Sequence, residues 1–245
     1  MKEYLLFRIY GPMASWGDIA VGEVRPSYTH PSKSAVLGLI AAALRIDRYR
    51  DDQHRALAQS YGFAVRVESM GIPLVDYHTV QVPRSTKRST KKYTTRREEL
   101  MAVSRDGLNT ILSRRDYRMD ALATVALWGR TSELPFPLTS IKEAMERPGY
   151  LLYLGRKSCP LALPMEAQIV EAETIFQAFA RAKFAEFELL QQIKLAEKFI
   201  LFWEEGVEAG IPAQHTFQRR DVPLSRRRWQ FEVRQEYQGS MSEEV

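Results

Sequence analysis

Phe63-Ala-Val-Arg-Val-Glu68 and Leu74-Val-Asp-Tyr-His-Thr-Val80, separated by Ser69-Met-Gly-Ile-Pro73, decide how the rest of the chain is read. In the first run, Phe63, Val65 and Val67 alternate with Ala64, Arg66 and Glu68, the period-two pattern of a strand with one face on a core. The second resembles its neighbour, so the pair predicts adjoining strands. Apolar patterning then stops. From Arg84 to Arg97 the chain reads Arg-Ser-Thr-Lys-Arg-Ser-Thr-Lys-Lys-Tyr-Thr-Thr-Arg-Arg: seven bases, six serines and threonines, one tyrosine and no acid. A β-rich apolar run resumes at Ala121 and continues to Trp128. The pattern is a sheet interrupted by a long basic insertion.

Working outward, Glu3 to Tyr10 reads as a strand with Leu5, Phe7 and Ile9 on one face and Tyr4, Arg8 and Tyr10 on the other. The loop Gly11-Pro-Met-Ala-Ser-Trp-Gly17 ends it. Ser32 or Ser34 can N-cap a helix to about Arg45 that is apolar nearly all round and therefore expected to be buried. A short polar helix is expected over Asp51 to Ser60. Downstream, Thr139 to Arg147 reads as a helix stopped by Pro148-Gly149, and Tyr150 to Leu154 as another strand. The order β-α-β-β-(insertion)-β-α-β predicts an α+β, ferredoxin-like domain over residues 1–165. In that plan an open sheet face can accept single-stranded RNA. Residues 166–245 are expected to form a smaller C-terminal α/β extension. There Thr174 to Lys198 reads as helical, with Phe176, Phe179, Phe184, Phe187 and Leu190 on its apolar stripe, and Phe199 to Trp203 and Arg228 to Tyr237 read as strands.

The chain has 245 residues, 45% hydrophobic and 27% charged, a globular balance with a net charge of +5. Between Tyr77 and Arg118 eleven bases face four acids, a local +7, so the remainder sums to −2. Such a segment cannot bury itself. It reads either as a solvated loop or as a polyanion-binding element whose hydroxyls add hydrogen bonds to phosphate. No large apolar residues interleave it at helical spacing, so a membrane surface is not the expected partner. A second cluster, Arg219, Arg220, Arg226, Arg227 and Arg228, is opposed only by Asp221. The single cysteine, Cys159, excludes an intrachain disulfide framework and a cysteine-rich zinc site. The longest apolar run, Ala35 to Leu44, is too short to span a bilayer, and the N-terminus shows no signal-peptide pattern. The expected location is the reducing cytoplasm, and no cofactor or metal is expected: the four histidines are scattered, without ligand spacing.

Three constellations carry candidate chemistry. Ser32-Lys33-Ser34 at a helix start offers N–H groups, hydroxyls and a cation to phosphate, or else is a plain N-cap with a solvated lysine. Gly155-Arg156-Lys157-Ser158 sets donors beside a glycine, as an RNA-backbone loop or as a strand-ending turn. Asp76-Tyr77-His78-Thr79-Val80 holds a histidine that can be a general base, a base-stacking ring or a structural hydrogen-bonding group.

Gly11-Pro-Met-Ala-Ser-Trp-Gly17, Arg25-Pro26, Pro31-Ser-Lys-Ser-Ala-Val-Leu-Gly38, Asp76-Tyr-His-Thr-Val80 and Tyr153-Leu-Gly-Arg-Lys-Ser-Cys-Pro-Leu161 together resemble, in order and spacing, the CasD subunit family of type I-E CRISPR Cascade. The resemblance covers residues 1–165, and Arg219-Arg-Asp-Val-Pro223 resembles the family's ending. It implies a non-catalytic RNA-binding subunit with an RNA-recognition-type domain and a protruding β-hairpin thumb. Such a subunit caps the crRNA-bound antiviral assembly, holds the crRNA 5′ handle and contacts a CasC-type backbone subunit and the large CasA-type subunit. Carried over by position, the thumb is about 81–115, the glycine-rich loop Leu154 to Pro160 and the phosphate-binding helix start Ser32 to Ser34. The RNA-binding set so implied is Trp16, Arg25, Ser32, Lys33, Ser34, Tyr77, His78, Arg84, Lys87, Arg88, Lys91, Lys92, Arg96, Arg97, Gly155, Arg156, Lys157 and Ser158. The competing reading is a metal-independent endoribonuclease that cuts CRISPR repeat RNA, using His78 with Lys33 or Tyr77.

Overall fold

The computed structural model describes residues 1–84, 93–196 and 198–241. One mixed α+β architecture is built on a nine-stranded sheet. Strand β1 (Lys2–Ala14) leads through the two-residue β2 (Val24–Arg25) to helices α1 (Lys33–Ala43) and α2 (Asp51–Ser60). Strands β3 (Tyr61–Ser69) and β4 (Ile72–Pro83) follow, then the short α3 (Arg96–Met101) and the long β5 (Leu108–Gly129). Helix α4 (Leu138–Glu146) and β6 (Gln168–Ala172) come next, followed by α5 (Ile175–Arg181) and α6 (Glu188–Gln191). Strands β7 (Phe199–Glu204), β8 (His215–Ser225) and β9 (Gln230–Met241) close the chain. The sheet order is β6-β1-β5-β3-β7-β9-β8, with β2 and β4 paired to β5 off this path. Every pairing is antiparallel except the two-residue β2–β5 contact.

Strand β5 serves two structures. Its second half lies between β1 and β3, with Val125 opposite both Phe7 and Val65. From Leu108 to Tyr117 its described pairings are with β4 and, at Arg114 and Arg115, with β2, and β1 joins at Arg118 and Met119. From Ile72↔Met119 to Pro83↔Leu108 these strands form a two-stranded ribbon leaving the sheet. The chain turns between the two regimes at Asp120, which has φ 54° and accepts a 2.8 Å hydrogen bond from the Tyr10 hydroxyl.

The strand reading of Tyr150 to Leu154 is corrected. The start of this stretch bonds the end of α1, with Gly149 N–H reaching the Ala43 carbonyl at 2.9 Å and Tyr150 N–H the Ala42 carbonyl at 3.1 Å, while Leu154 N–H turns to the Cys159 carbonyl at 2.7 Å. The two helix-end carbonyls have no partner within the helix and must find one outside it. Only an isolated Tyr153↔Pro160 bridge remains, and the strand after α4 is β6, on β1. The helix expected over Thr174 to Lys198 is also broken, into α5 and α6, with Phe184 and Phe187 between them lying over the Arg8 guanidinium at 4.9 and 5.5 Å.

Both faces of the sheet are covered. Leu5, Phe7 and Ile9 pack with α1, α2 and α4, as the alternation of β1 predicts. On the reverse face Tyr4, Leu6 and Trp128 pack with Ile175, Ala178 and Phe179 of α5. The reverse face, which in a ferredoxin-like plan can stay open to RNA, here carries α5. Among the described residues no helix is long and apolar enough to cross a membrane.

Candidate nucleic-acid interface

Helix α1 starts where the predicted cap places it. Ser32 Oγ accepts the Ala35 N–H at 3.1 Å and lies 3.0 Å from Ser34 Oγ. Lys33 then turns inward and is 1% exposed. Its Nζ donates to the Tyr61 carbonyl at 3.1 Å and to Glu204 Oε2 at 3.0 Å, and its backbone N–H donates to Asp221 Oδ2 at 2.7 Å. Burial pulls its pKa down, against the pull of Glu204. The ammonium is therefore used up inside the protein rather than presented to a phosphate.

Glu204 also pairs with Arg130, and around it a buried network joins α1 to the last two strands. Arg234 donates to Asp221 Oδ1 at 2.6 Å and to Glu236 Oε1 at 2.5 Å. Arg219, 3% exposed, donates to both Glu236 oxygens at 3.2 Å. His30 lies 3.0 Å from Glu236 and stacks on Phe202 with centroids 3.6 Å apart. Burial holds His30 below the usual imidazole pKa. Burial also opposes the charged form of Glu236, yet the His30 hydrogen bond and the Arg219 and Arg234 charges outweigh it and lower that carboxyl to about 2.

The glycine-rich turn packs beside this start. Gly155 has φ +86°, and a Cβ there would sit 1.9 Å from the Ser15 carbonyl oxygen. The glycine is thus required by contact with the loop after β1. Arg156 crosses from this turn to the base of the ribbon, its guanidinium 4.6 Å from the Tyr117 ring centre and Nη2 3.5 Å from the Arg25 carbonyl. Its Nη1 is buried without a hydrogen-bond partner, and it makes no ion pair with a described carboxylate. Lys157 and Ser158 are exposed.

A groove of about 820 Å³ runs between these parts, lined by Ser32 and Ser34 on one side, Gly155 and Arg156 on another, and Arg220 and Arg226 of the C-terminal segment on the third. The structure thereby joins two constellations far apart in sequence and adds the second arginine cluster. That cluster carries no individual site role in the sequence reading. The run Arg226-Arg-Arg-Trp229, three cations followed by an aromatic, is the signal that points to it.

The remaining predicted residues are placed differently. Trp16 is 4% exposed and belongs to the core, so its ring is not a stacking surface. Arg25 Nη1 donates to the Gly22 carbonyl at 2.6 Å, on β2 beside the ribbon. On the ribbon, Tyr77 is 60% exposed opposite Arg114, while His78 sits opposite Ser113 and pairs with Asp76. Successive strand residues point to opposite faces, so the Tyr77 and His78 rings do not share one. Arg84 donates to Asn109 at 3.1 Å, Arg96 donates to the Gln81 carbonyl and pairs with Glu99, and Arg97 is exposed. Lys87, Arg88, Lys91 and Lys92 lie outside the described residues.

A buried helix start, a glycine turn and a basic strand ribbon are thus held on one α+β sheet. Residues 4–237 match the family model described as CRISPR-associated protein (Cas_Cas5), and this chain belongs to that family. It is 35% identical over 173 residues to the CRISPR system Cascade subunit CasD of Escherichia coli (strain K12), spanning 67% of this chain and 70% of that protein. Among solved structures, a chain of a CRISPR RNA-guided surveillance complex aligns with a TM-score of 0.64 at 22% identity, covering 98% of this chain and 90% of that one. A crystal structure of a Cas protein aligns with a TM-score of 0.62 at 26% identity, covering 98% and 96%.

Proposed function

We propose that this chain is a non-catalytic subunit of a type I-E CRISPR Cascade complex, and that it holds the 5′ handle of the crRNA in the groove between α1, the glycine turn and the β8–β9 segment. The observation that carries this reading is the half-buried Arg156 guanidinium at the junction of groove and ribbon, whose Nη1 has no hydrogen-bond partner and which pairs with no described carboxylate. A cation desolvated without a carboxylate partner stabilises an incoming phosphate more than a solvated one does. In this reading the β4–β5 ribbon is the thumb, laying its basic tip over the RNA backbone. The four strands in the order β6-β1-β5-β3, with α1–α2 and α4 as crossovers, are its ferredoxin-like body. Neighbouring CasC-type and CasA-type subunits complete the assembly, in the cytoplasm.

The non-catalytic part of the proposal is supported by the dispersal of the endoribonuclease candidates. Cleavage needs its acid and base within reach of one 2′-hydroxyl. Lys33 is enclosed by Glu204 and Tyr61, and Tyr77 and His78 project from opposite faces of the ribbon.

The test is co-expression with the other Cascade subunits and a CRISPR array. The parent chain should co-purify with crRNA of mature length, and Arg156→Gln should reduce the RNA recovered per complex about tenfold. Parent complexes assembled without RNA would overturn the reading. Uncut repeat RNA accumulating specifically with His78→Ala would move it to the endoribonuclease.

A further inference from the structure

Beside the groove lies a second cavity of about 470 Å³, and its walls are not those of an ordinary crevice. Tyr150, Tyr153 and Trp229 supply rings, and Arg48 and Arg226 supply charge. Trp229 is 59% exposed with φ 58°, a left-handed conformation rare for a large side chain and kept only where surroundings over-determine it. Asp51 over-determines it here. Its Oδ1 accepts the Arg226 and Arg227 N–H groups at 2.8 and 3.3 Å, and its Oδ2 accepts the Ser225 hydroxyl at 2.6 Å, fixing the turn that presents the indole.

Arg226 is the second unusual member. Its Nη2 donates to the Ser34 carbonyl at 2.5 Å, its Nε is buried without a partner, and among the described residues no carboxylate pairs with it. A second cation, Arg48, lines the same cavity together with Asp47, and burial together with the Arg48 charge lowers the Arg226 pKa to about 10. Both guanidiniums lie against the indole, at 5.8 and 5.1 Å from its ring. Room for the Arg226 head comes from Gly38, where a Cβ would lie 3.0 Å from Nη2. A half-buried cation with no carboxylate on its guanidinium, a second cation and an exposed ring can take an anion and a flat apolar partner. A nucleotide supplies both.

The geometry points to a nucleotide subsite at this cavity, with phosphate between Arg226 and Arg48 and the base stacked on Trp229. It rests on the proposed RNA binding, of which it is one defined pocket, filled either by a nucleotide splayed from the strand or by a free one.

Contact quenching by a bound ligand reports on Trp229, because Trp16, Trp128 and Trp203 are each no more than 6% exposed. The full-length chain is titrated with a single-stranded RNA oligonucleotide and, separately, with AMP. RNA affinity is read independently from a fluorescent label on the oligonucleotide. RNA should quench the parent's emission, and the surface variants Trp229→Leu and Arg48→Gln, checked for unchanged melting, should each weaken RNA about tenfold or more. Quenching by RNA alone assigns a strand nucleotide, and quenching by AMP as well assigns a pocket open to free nucleotides. RNA bound with parental affinity by both variants overturns the subsite while the RNA function stands. AMP quenching without RNA binding overturns the RNA function and keeps the subsite. Binding of neither ligand overturns both.

Discussion

The two arginine clusters of this chain are alike in composition and unlike in fate. At the ribbon, Arg84, Arg96 and Arg97 sit at the surface and interact with little beyond their own hairpin and helix. At the C-terminus, Arg219 and Arg234 are enclosed among Asp221, Glu204 and Glu236, while the half-buried Arg226 guanidinium, a few residues away, meets no described carboxylate. The basic residues of this region thus divide into a structural part and a part that no described carboxylate pairs. What divides it is the side chain across the strand: Arg219 lies opposite Arg234, beside Glu236 on the same strand, whereas Arg226 falls in the β8–β9 turn, where no strand residue opposes it. Counting charges locates candidate interfaces, and pairing decides which cations remain available.

The comparison breaks most decisively at Glu204. Glu204→Gln leaves Lys33 and Arg234 in the interior without that carboxylate, beside the more exposed Arg130, and removing one partner of a buried pair costs about 3–5 kcal/mol. Chemical denaturation should show that loss, and a change under 1 kcal/mol would mean the network is not structural. Gly155→Val comes next. The clash with Ser15 and the left-handed backbone should cost about 3 kcal/mol or more, so reduced RNA retention by this variant would follow from misfolding. An unchanged melting temperature would show that the turn relaxes freely.

Acid should act on the C-terminal network. Glu236 is held at about 2, below its ordinary 4.5, so its contribution is complete above 4.5 and is lost as pH falls toward 2. His30 is also lowered, so protonation favours the unfolded chain and stability begins to fall as pH drops through about 6.5. Both signs agree, and the Glu236 part is on the order of 3 kcal/mol. A melting temperature flat from pH 7 to 3 would contradict this. The smallest effect on stability belongs to the ribbon. Arg84, Arg96 and Arg97 together replaced by Ala should change unfolding by about 0.5 kcal/mol or less. The same variant should flatten the slope of log RNA affinity against log salt by about 0.7 for each phosphate contact removed. Replacing Lys87, Arg88, Lys91 and Lys92 tests the rest of the run in the same units. Parallel salt lines would reassign the segment to protein docking.

The alternation in β1 and β3, the cap at Ser32, the breadth of apolar surface on α1 and the acid-free run from Arg84 are local properties, and the sequence by itself determined them because propensity, periodicity and charge act over a few residues. The five ordered motifs were enough to indicate the family. Tertiary structure alone decided that Lys33 points inward, since nothing near it in sequence announces Glu204. It also decided that Trp16 is core, that Gly155 answers to Ser15, and that Arg156 and Arg226 end unpaired on one groove. Burial and pairing depend on residues more than a hundred positions away, and no local pattern encodes which cation meets which acid.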